Sequence, residues 1–67
     1  MPVEVAIYEH GSIIQFEPLV QQAKEWFEEN VQAESWQWLG GRLCVEHRFA
    51  DDLVCGLQEA GFVLSAF

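Results

Sequence analysis

The segment Trp36-Gln37-Trp38-Leu39-Gly40-Gly41-Arg42-Leu43-Cys44-Val45-Glu46-His47 predicts a β-hairpin in the middle of the chain. Gly40-Gly41 is one of the few pairs that accept positive φ at both central positions of a two-residue turn. Side chains alternate between the faces of a strand, so a turn there collects the apolar residues on one face: Trp36, Trp38, Leu43 and Val45. The other face receives Gln37, Cys44 and Glu46. The flanking segments must therefore cover one face of this hairpin.

An amphipathic helix is predicted before the hairpin, over about residues 18 to 30. Its apolar residues recur at spacings of three and four: Leu19, Val20, Ala23, Trp26, Phe27 and Val31. Pro18 suits the first turn of a helix, where its missing N–H leaves no hydrogen bond unmade. The segment from Gln32 to Ser35 then links this helix to the hairpin.

A second helix is predicted after the hairpin, over about residues 48 to 60. Asp51 and Asp52 are expected in its first turn, where carboxylates meet the positive end of the helix dipole. Gly56 lowers helix propensity in mid-helix, which indicates a close approach of a neighbouring element. Gly61 is a typical C-terminal stop.

The chain is predicted to begin with another hairpin. Val3, Val5 and Ile7 alternate with more polar positions, a turn follows at residues 9 to 12, and a second strand reaches Phe16. Residues 62 to 67 form a closing apolar strand, which we expect inside the sheet.

The predicted order is therefore ββαββαβ in a single domain spanning residues 1–67. The fold class is α+β: a two-layer sandwich with an antiparallel or mixed sheet and both helices on one face. Without the first strand this is the ferredoxin-like βαββαβ order. We expect that additional strand at an edge of the sheet.

Composition points to a small but well-filled protein. The 67 residues include three Trp and five Phe, and 51% are hydrophobic, which supplies a core despite the short chain. The net charge of −8 repels nucleic acid and anionic membranes and attracts basic surfaces. No apolar run is long enough to span a membrane, and the N-terminus does not resemble a signal peptide. A cytoplasmic location, in a bacterial host cell, is the expectation.

The soft metal ligands do not form a recognisable site. Cys44 and His47 have the spacing of half a zinc site, but a matching second pair is lacking. The hairpin register directs Cys44 away from the helices, while Cys55 lies on one. We therefore expect no metal, no cofactor and no disulfide, with Cys44 the more reactive of two free thiols.

Catalysis is not indicated either. Glu46-His47 near Asp51 could be written as a base with an orienting acid, but no nucleophile with a signature around it accompanies them. Gly40-Gly41 joins two strands, so no helix N-terminus follows it to bind phosphate. The expectation is a protein without enzymatic activity.

The acidic residues are the informative feature. Glu28 and Glu29 lie near the end of the first helix, where the dipole disfavours negative charge. Acidity for solubility alone is the competing interpretation, but basic residues are scarce along the whole chain. The candidate partner-binding residues are Glu25, Glu28, Glu29, Glu34, Asp51, Asp52 and Glu59.

In two segments, Trp36-Gln37-Trp38-Leu39-Gly40-Gly41 and Val45-Glu46-His47-Arg48-Phe49-Ala50-Asp51-Asp52-Leu53, the chain resembles small acidic proteins of phages and mobile elements. Anti-CRISPR proteins are among these, including inhibitors of type I systems. The resemblance implies binding to a CRISPR surveillance complex at its DNA-binding surface. It assigns no individual residue a role.

Two functional hypotheses follow. The first is a non-enzymatic inhibitor that presents carboxylates to a basic, nucleic-acid-binding protein, as a DNA mimic would. The second is a small regulatory or antitoxin-like module that binds a protein through an apolar patch on the uncovered sheet face. Only the first should weaken steeply with ionic strength.

Overall fold

The computed structural model describes residues 2–32, 34 and 37–65, and the backbone of residue 66. The strands are β1 (Val5–His10), β2 (Ile13–Pro18), β3 (Trp38–Leu39), β4 (Arg42–Glu46) and β5 (Leu64–Ala66). The helices are α1 (Gln21–Asn30) and α2 (His47–Glu59). The predicted order ββαββαβ and the α+β fold class are confirmed.

The sheet is mixed and has the strand order β3-β4-β2-β1-β5. β1 and β5 are parallel, and the other neighbours are antiparallel. The ferredoxin-like set β2-α1-β3-β4-α2-β5 is present, with β1 inserted between β2 and β5. The expectation that β1 lies at an edge and β5 in the interior is therefore corrected.

The position of β1 has a local cause. Its hairpin turn holds only Gly11 and Ser12 between paired strands, which fixes β1 directly beside β2. Val5 is 0% and Ala6 2% exposed, although their side chains point to opposite faces. A strand apolar on both faces gains most from an interior place, and the three-residue β5 closes the edge instead.

The central hairpin has the predicted register. Trp38 pairs with Leu43 and Leu39 with Arg42, while Gly40 and Gly41 have φ of 58° and 80°. Such angles at both central positions belong to a primed turn, which matches the twist of the strands. Gln37 precedes β3 rather than extending it. The predicted place of Trp36 falls outside the described residues.

α1 begins later than the predicted residue 18. Pro18 is the last residue of β2, buried and paired with Val5. The Leu19 N–H donates to the Glu4 carbonyl at 2.8 Å, so the chain stays extended through Val20. Leu19 is 49% exposed and does not join the apolar stripe.

α2 begins at His47, whose N–H donates to the Ser12 carbonyl at 2.8 Å. Asp51 and Asp52 consequently fall in the second turn, and the expectation that they support the first turn is wrong. Gly61 ends the helix as predicted, with φ of 91°.

Both helices pack on one face of the sheet around Phe27. Its ring centroid lies 6.2 Å from that of Phe16, 5.4 Å from Trp26 and 5.9 Å from Trp38. The same core includes Ala23, Leu43, Val45, Ala50 and Leu57. A side-chain carbon added at Gly56 would lie 3.1 Å from Trp26, so the close neighbour predicted for this glycine is α1. The two-layer sandwich is confirmed, and the other sheet face is hereafter the open face.

Candidate interaction surface

The helix layer carries most of the predicted partner-binding residues on its outer surface. Because Ala23 and Phe27 face the sheet, Glu25 and Glu29 lie on the opposite side of α1, one turn apart. The whole predicted set is exposed: Glu25, Glu28, Glu29, Glu34, Asp51, Asp52 and Glu59. These carboxylates are therefore accessible to a partner.

The structure divides this set into groups. Asp52 and Glu59 are seven residues apart and share one side of α2. Asp51 lies on another side, in a depression that Ile7 and His47 also line. Glu34 stands between α1 and β3, where its N–H donates to Gln37 Oε1 at 2.9 Å. Asp51 consequently faces away from the surface that the others offer.

Within the described ranges, none of these carboxylates takes part in an ion pair or accepts a hydrogen bond. The two ion pairs found there are Arg42–Glu17 at 3.7 Å and Arg48–Glu46 at 3.3 Å. Lys24 and Glu28 are one helical turn apart, but no ion pair within 4.0 Å joins them. Among the described residues, no side chain therefore neutralises these carboxylates within ion-pair distance.

The end of α1 adds to this imbalance. Glu28 and Glu29 lie in its last turn, which contains no basic residue. Carboxylates there meet the negative end of the helix dipole, at a cost of about 0.3–1 kcal/mol each when exposed. Stability alone would favour lysine at these positions.

On the open face, by contrast with the helix layer, the acidic and basic side chains contact one another. Glu17 Oε1 accepts a hydrogen bond from the Tyr8 hydroxyl at 2.9 Å and lies 3.7 Å from Arg42 Nε. The Arg42 guanidinium lies 3.8 Å from the centroid of the Tyr8 ring and donates to Gln15 Oε1 at 3.3 Å. The hydrogen bond to Glu17 raises the pKa of Tyr8, and loss of hydration adds to the rise. We call these four residues the Tyr8–Arg42 network.

Sequence reasoning missed this network. β4 pairs with β2 so that Phe16 faces Leu43, and the same register brings Glu17 beside Arg42. The strands are separated by a whole helix in the sequence. Alternation within each strand could indicate which face Arg42 takes, but not which residue stands opposite.

The cysteines lie on different layers of the fold. Cys44 is half-buried on the open face, where Gln15 Nε2 lies 3.5 Å from its Sγ. Cys55 is exposed on α2. The greater exposure of Cys55 corrects the expectation that Cys44 is the more accessible thiol. In the part of the chain that the structure describes, no three His, Cys, Asp or Glu residues are grouped to hold a metal ion.

No protein-family model matches the chain, and no curated protein or solved structure shows significant similarity to it. Of the helices in the described ranges, none has the length and apolar character needed to cross a membrane.

Proposed function

We propose that this protein is a non-enzymatic inhibitor that binds a basic, nucleic-acid-binding protein through the helix layer and so competes with nucleic acid. The partner class that the resemblance to anti-CRISPR proteins implies is a CRISPR surveillance complex. The observation that carries the proposal is the contrast between exposed, unneutralised carboxylates on the helices and the mutually satisfied charges on the open face.

The spacing of the α1 carboxylates suits mimicry of a nucleic-acid strand. Glu25 and Glu29 are separated by about 6 Å along the helix axis, given a rise of about 1.5 Å per residue. The phosphates of one DNA strand rise by about 3.4 Å per step along the duplex axis and also turn around it, so their through-space separation is larger than this rise. Glu25 and Glu29 present successive negative charges on one side of a rod, as the phosphates of one strand do.

The alternative hypothesis of an apolar docking patch has less support. It placed the patch on the uncovered face of the sheet, but the Tyr8–Arg42 network puts charged and polar side chains on three adjacent strands of that face, β1, β2 and β4. Large apolar side chains there, such as Leu39 at 59% exposure and Ile13 at 37%, are at its margins. Leu39 does not line the depression that Ile13 shares with Phe49 of α2, so these residues do not form one apolar patch on the sheet face.

The proposal is tested by capture and competition. The protein is immobilised, incubated with nuclease-treated bacterial lysate, and eluted first with duplex DNA and then with rising salt. We expect basic, nucleic-acid-binding proteins to be retained and to be released by DNA. A purified type I surveillance complex is tested in parallel, and we expect it to lose its target DNA when the protein is added.

A variant with Glu25→Lys, Glu28→Lys and Glu29→Lys is run beside the parent. We expect it to retain none of the DNA-released proteins. If the parent retains no protein that DNA displaces, or if the variant retains the same proteins, the acidic helix layer is not a nucleic-acid mimic.

A further inference from the structure

A cleft lies between α1 and the turn that joins β3 to β4. Its volume is about 440 Å³. Phe27, Val31 and Trp38 line it, and the exposed residues Lys24 and Glu28 lie at its rim. The cleft is therefore an apolar and aromatic recess bordered by one basic and one acidic side chain.

The local structure explains why this recess stays open. Ala23 and Phe27 direct α1 onto the sheet, which leaves Lys24 and Glu28 on the flank that faces the hairpin. On the other side, Gly41 has no side chain to fill the space. A carbon added at Gly41 would meet no atom of the described residues within 4 Å.

The residues of the cleft suit a guanidinium group. Tryptophan binds cations best among the aromatic side chains, and the flat guanidinium both stacks on rings and pairs with carboxylates. Glu28 supplies a carboxylate that has no ion-pair partner among the described residues. A net charge of −8 favours a cationic ligand over an anionic one.

Among the described residues that line the cleft, Lys24 is the one group that opposes a cation. Its side chain is long and exposed, so its ammonium can turn towards solvent when a cation binds. The Lys24 charge should weaken the binding of a cation and strengthen the binding of an anion, so substituting it distinguishes the two kinds of ligand. Removing its charge should tighten the binding of a cation and weaken the binding of an anion.

We infer that this cleft receives an arginine side chain of the partner, with the guanidinium between Trp38 and the carboxylate of Glu28. The inference rests on the proposed function for the source of that arginine, because a basic nucleic-acid-binding surface is rich in arginine. The cleft itself is tested with a small molecule and needs no partner.

The test is a titration of the ¹⁵N-labelled protein with N-acetyl-arginine amide at low salt, followed at the indole N–H signal of Trp38. Trp38→Phe identifies that signal. N-acetyl-citrulline amide, which has nearly the same shape without the charge, is the control ligand, and N-acetyl-lysine amide is the control cation. We expect saturable shifts with arginine, weaker binding of lysine and none of citrulline.

Three matched variants locate the binding. Glu28→Gln should weaken arginine binding about fivefold or more, since a charge-assisted hydrogen bond becomes a neutral one. Lys24→Gln should tighten it by about twofold or more through the loss of like-charge repulsion. Glu9→Gln, which removes the same charge from the exposed end of β1, should leave the affinity within about twofold of the parent.

Four results would overturn the inference: equal binding of citrulline or lysine, parental affinity in Glu28→Gln, weaker binding in Lys24→Gln, or no saturable shift with arginine. The two proposals fail separately. If arginine binds but DNA-released partners are not captured, the inhibitor function is wrong and the cleft remains an arginine site. If partners are captured but arginine does not bind, only the cleft assignment is wrong.

Discussion

The two exposed layers of this small protein use charge differently. On the open face, the Tyr8–Arg42 network joins acid, base and ring within 2.9–3.8 Å. On the helix layer, Glu25, Glu28 and Glu29 take part in no ion pair within the described ranges. Charges that neighbouring side chains satisfy stabilise the fold, whereas unsatisfied charges at a helix end lower its stability. Function is therefore to be sought on the helices.

The helix layer and the open face depend on one core. Disrupting that core should therefore abolish both surfaces by unfolding the protein. Phe27 is 1% exposed and contacts three other rings. Phe27→Ala should lower the free energy of unfolding by about 3–5 kcal/mol. That is comparable to the whole stability of a domain of this size, about 3–10 kcal/mol. Urea unfolding should show a largely unfolded variant, and a parental midpoint would contradict the described packing.

Reversing the charges of α1 should abolish partner binding without lowering the stability of the fold. Glu25→Lys, Glu28→Lys and Glu29→Lys each remove two units of negative charge, so the net charge changes from −8 to −2. We expect a loss of partner affinity of about a hundredfold or more, because like charges then face each other across the interface. The thermal midpoint should stay equal or rise slightly, since lysine suits the end of a helix.

A large drop in that midpoint would show that the three glutamates support the fold. Affinity within about threefold of the parent would show that they do not contact the partner.

On the open face we expect the reverse: a substitution should lower the stability and leave partner affinity unchanged. Arg42→Met removes the partner of Glu17 and the cation over the Tyr8 ring. The free energy of unfolding should fall by about 1 kcal/mol, a modest value because the pair is partly exposed. Partner affinity should change little. Lys24→Met, which alters the net charge equally, is the control and should change stability by less than about 0.5 kcal/mol.

The prediction for Arg42 would be contradicted if the two variants were equally stable. The Tyr8–Arg42 network would then contribute nothing beyond ordinary surface contacts.

Tyr8 allows the network to be observed directly, because it is the single tyrosine of the chain. Its pKa is raised from 10.0 by the hydrogen bond to Glu17. A raised folded-state pKa means that this stabilisation is complete below pH 10 and is lost as the pH rises through the folded-state value. Tyrosinate absorbance should titrate above pH 10 in the parent and lower in Glu17→Gln. A parental midpoint at or below 10 would contradict the contact.

The smallest expected effect distinguishes the two thiols. Cys55 is exposed on α2, whereas Cys44 is half-buried beside Gln15. Cys55→Ala should therefore remove the faster phase of labelling by a thiol reagent, and Cys44→Ala the slower one. Faster labelling of Cys44 would contradict this account, because it would mean that the Cys44 thiol is more exposed than that of Cys55.

Local patterns were sufficient to predict much of this fold. Gly40-Gly41 and the alternation beside it specified the hairpin register, and Gly61 specified the end of α2. Pro18 was misassigned because proline fits both the first turn of a helix and the end of a strand. The hydrogen bond from Leu19 to Glu4 favours the strand, and no local pattern contains that contact.

The sheet order and the Tyr8–Arg42 network depend on contacts between distant segments. The place of β1 between β2 and β5 follows from pairings with both ends of the chain. Exposure of the helix-layer carboxylates was foreseeable because helical periodicity separates Glu25 from Ala23 and Phe27. That these carboxylates have no ion-pair partner among the described residues was only partly foreseeable, since it also depends on where Arg42 and Arg48 lie.

The central claim is that the position of the acidic charge, and not its total, determines binding. Two double variants with the same net charge of −4 test it: Glu25→Lys with Glu29→Lys on α1, and Glu9→Lys with Glu46→Lys at strand ends. All four residues are exposed, and the Glu46–Arg48 ion pair that the second variant removes lies between two exposed side chains, so it contributes little to stability. The measurement is the affinity of each variant for a DNA-released partner at one fixed salt concentration. The account predicts that the α1 pair loses about tenfold or more and that the strand-end pair stays within about threefold of the parent. Equal losses in both variants would contradict it.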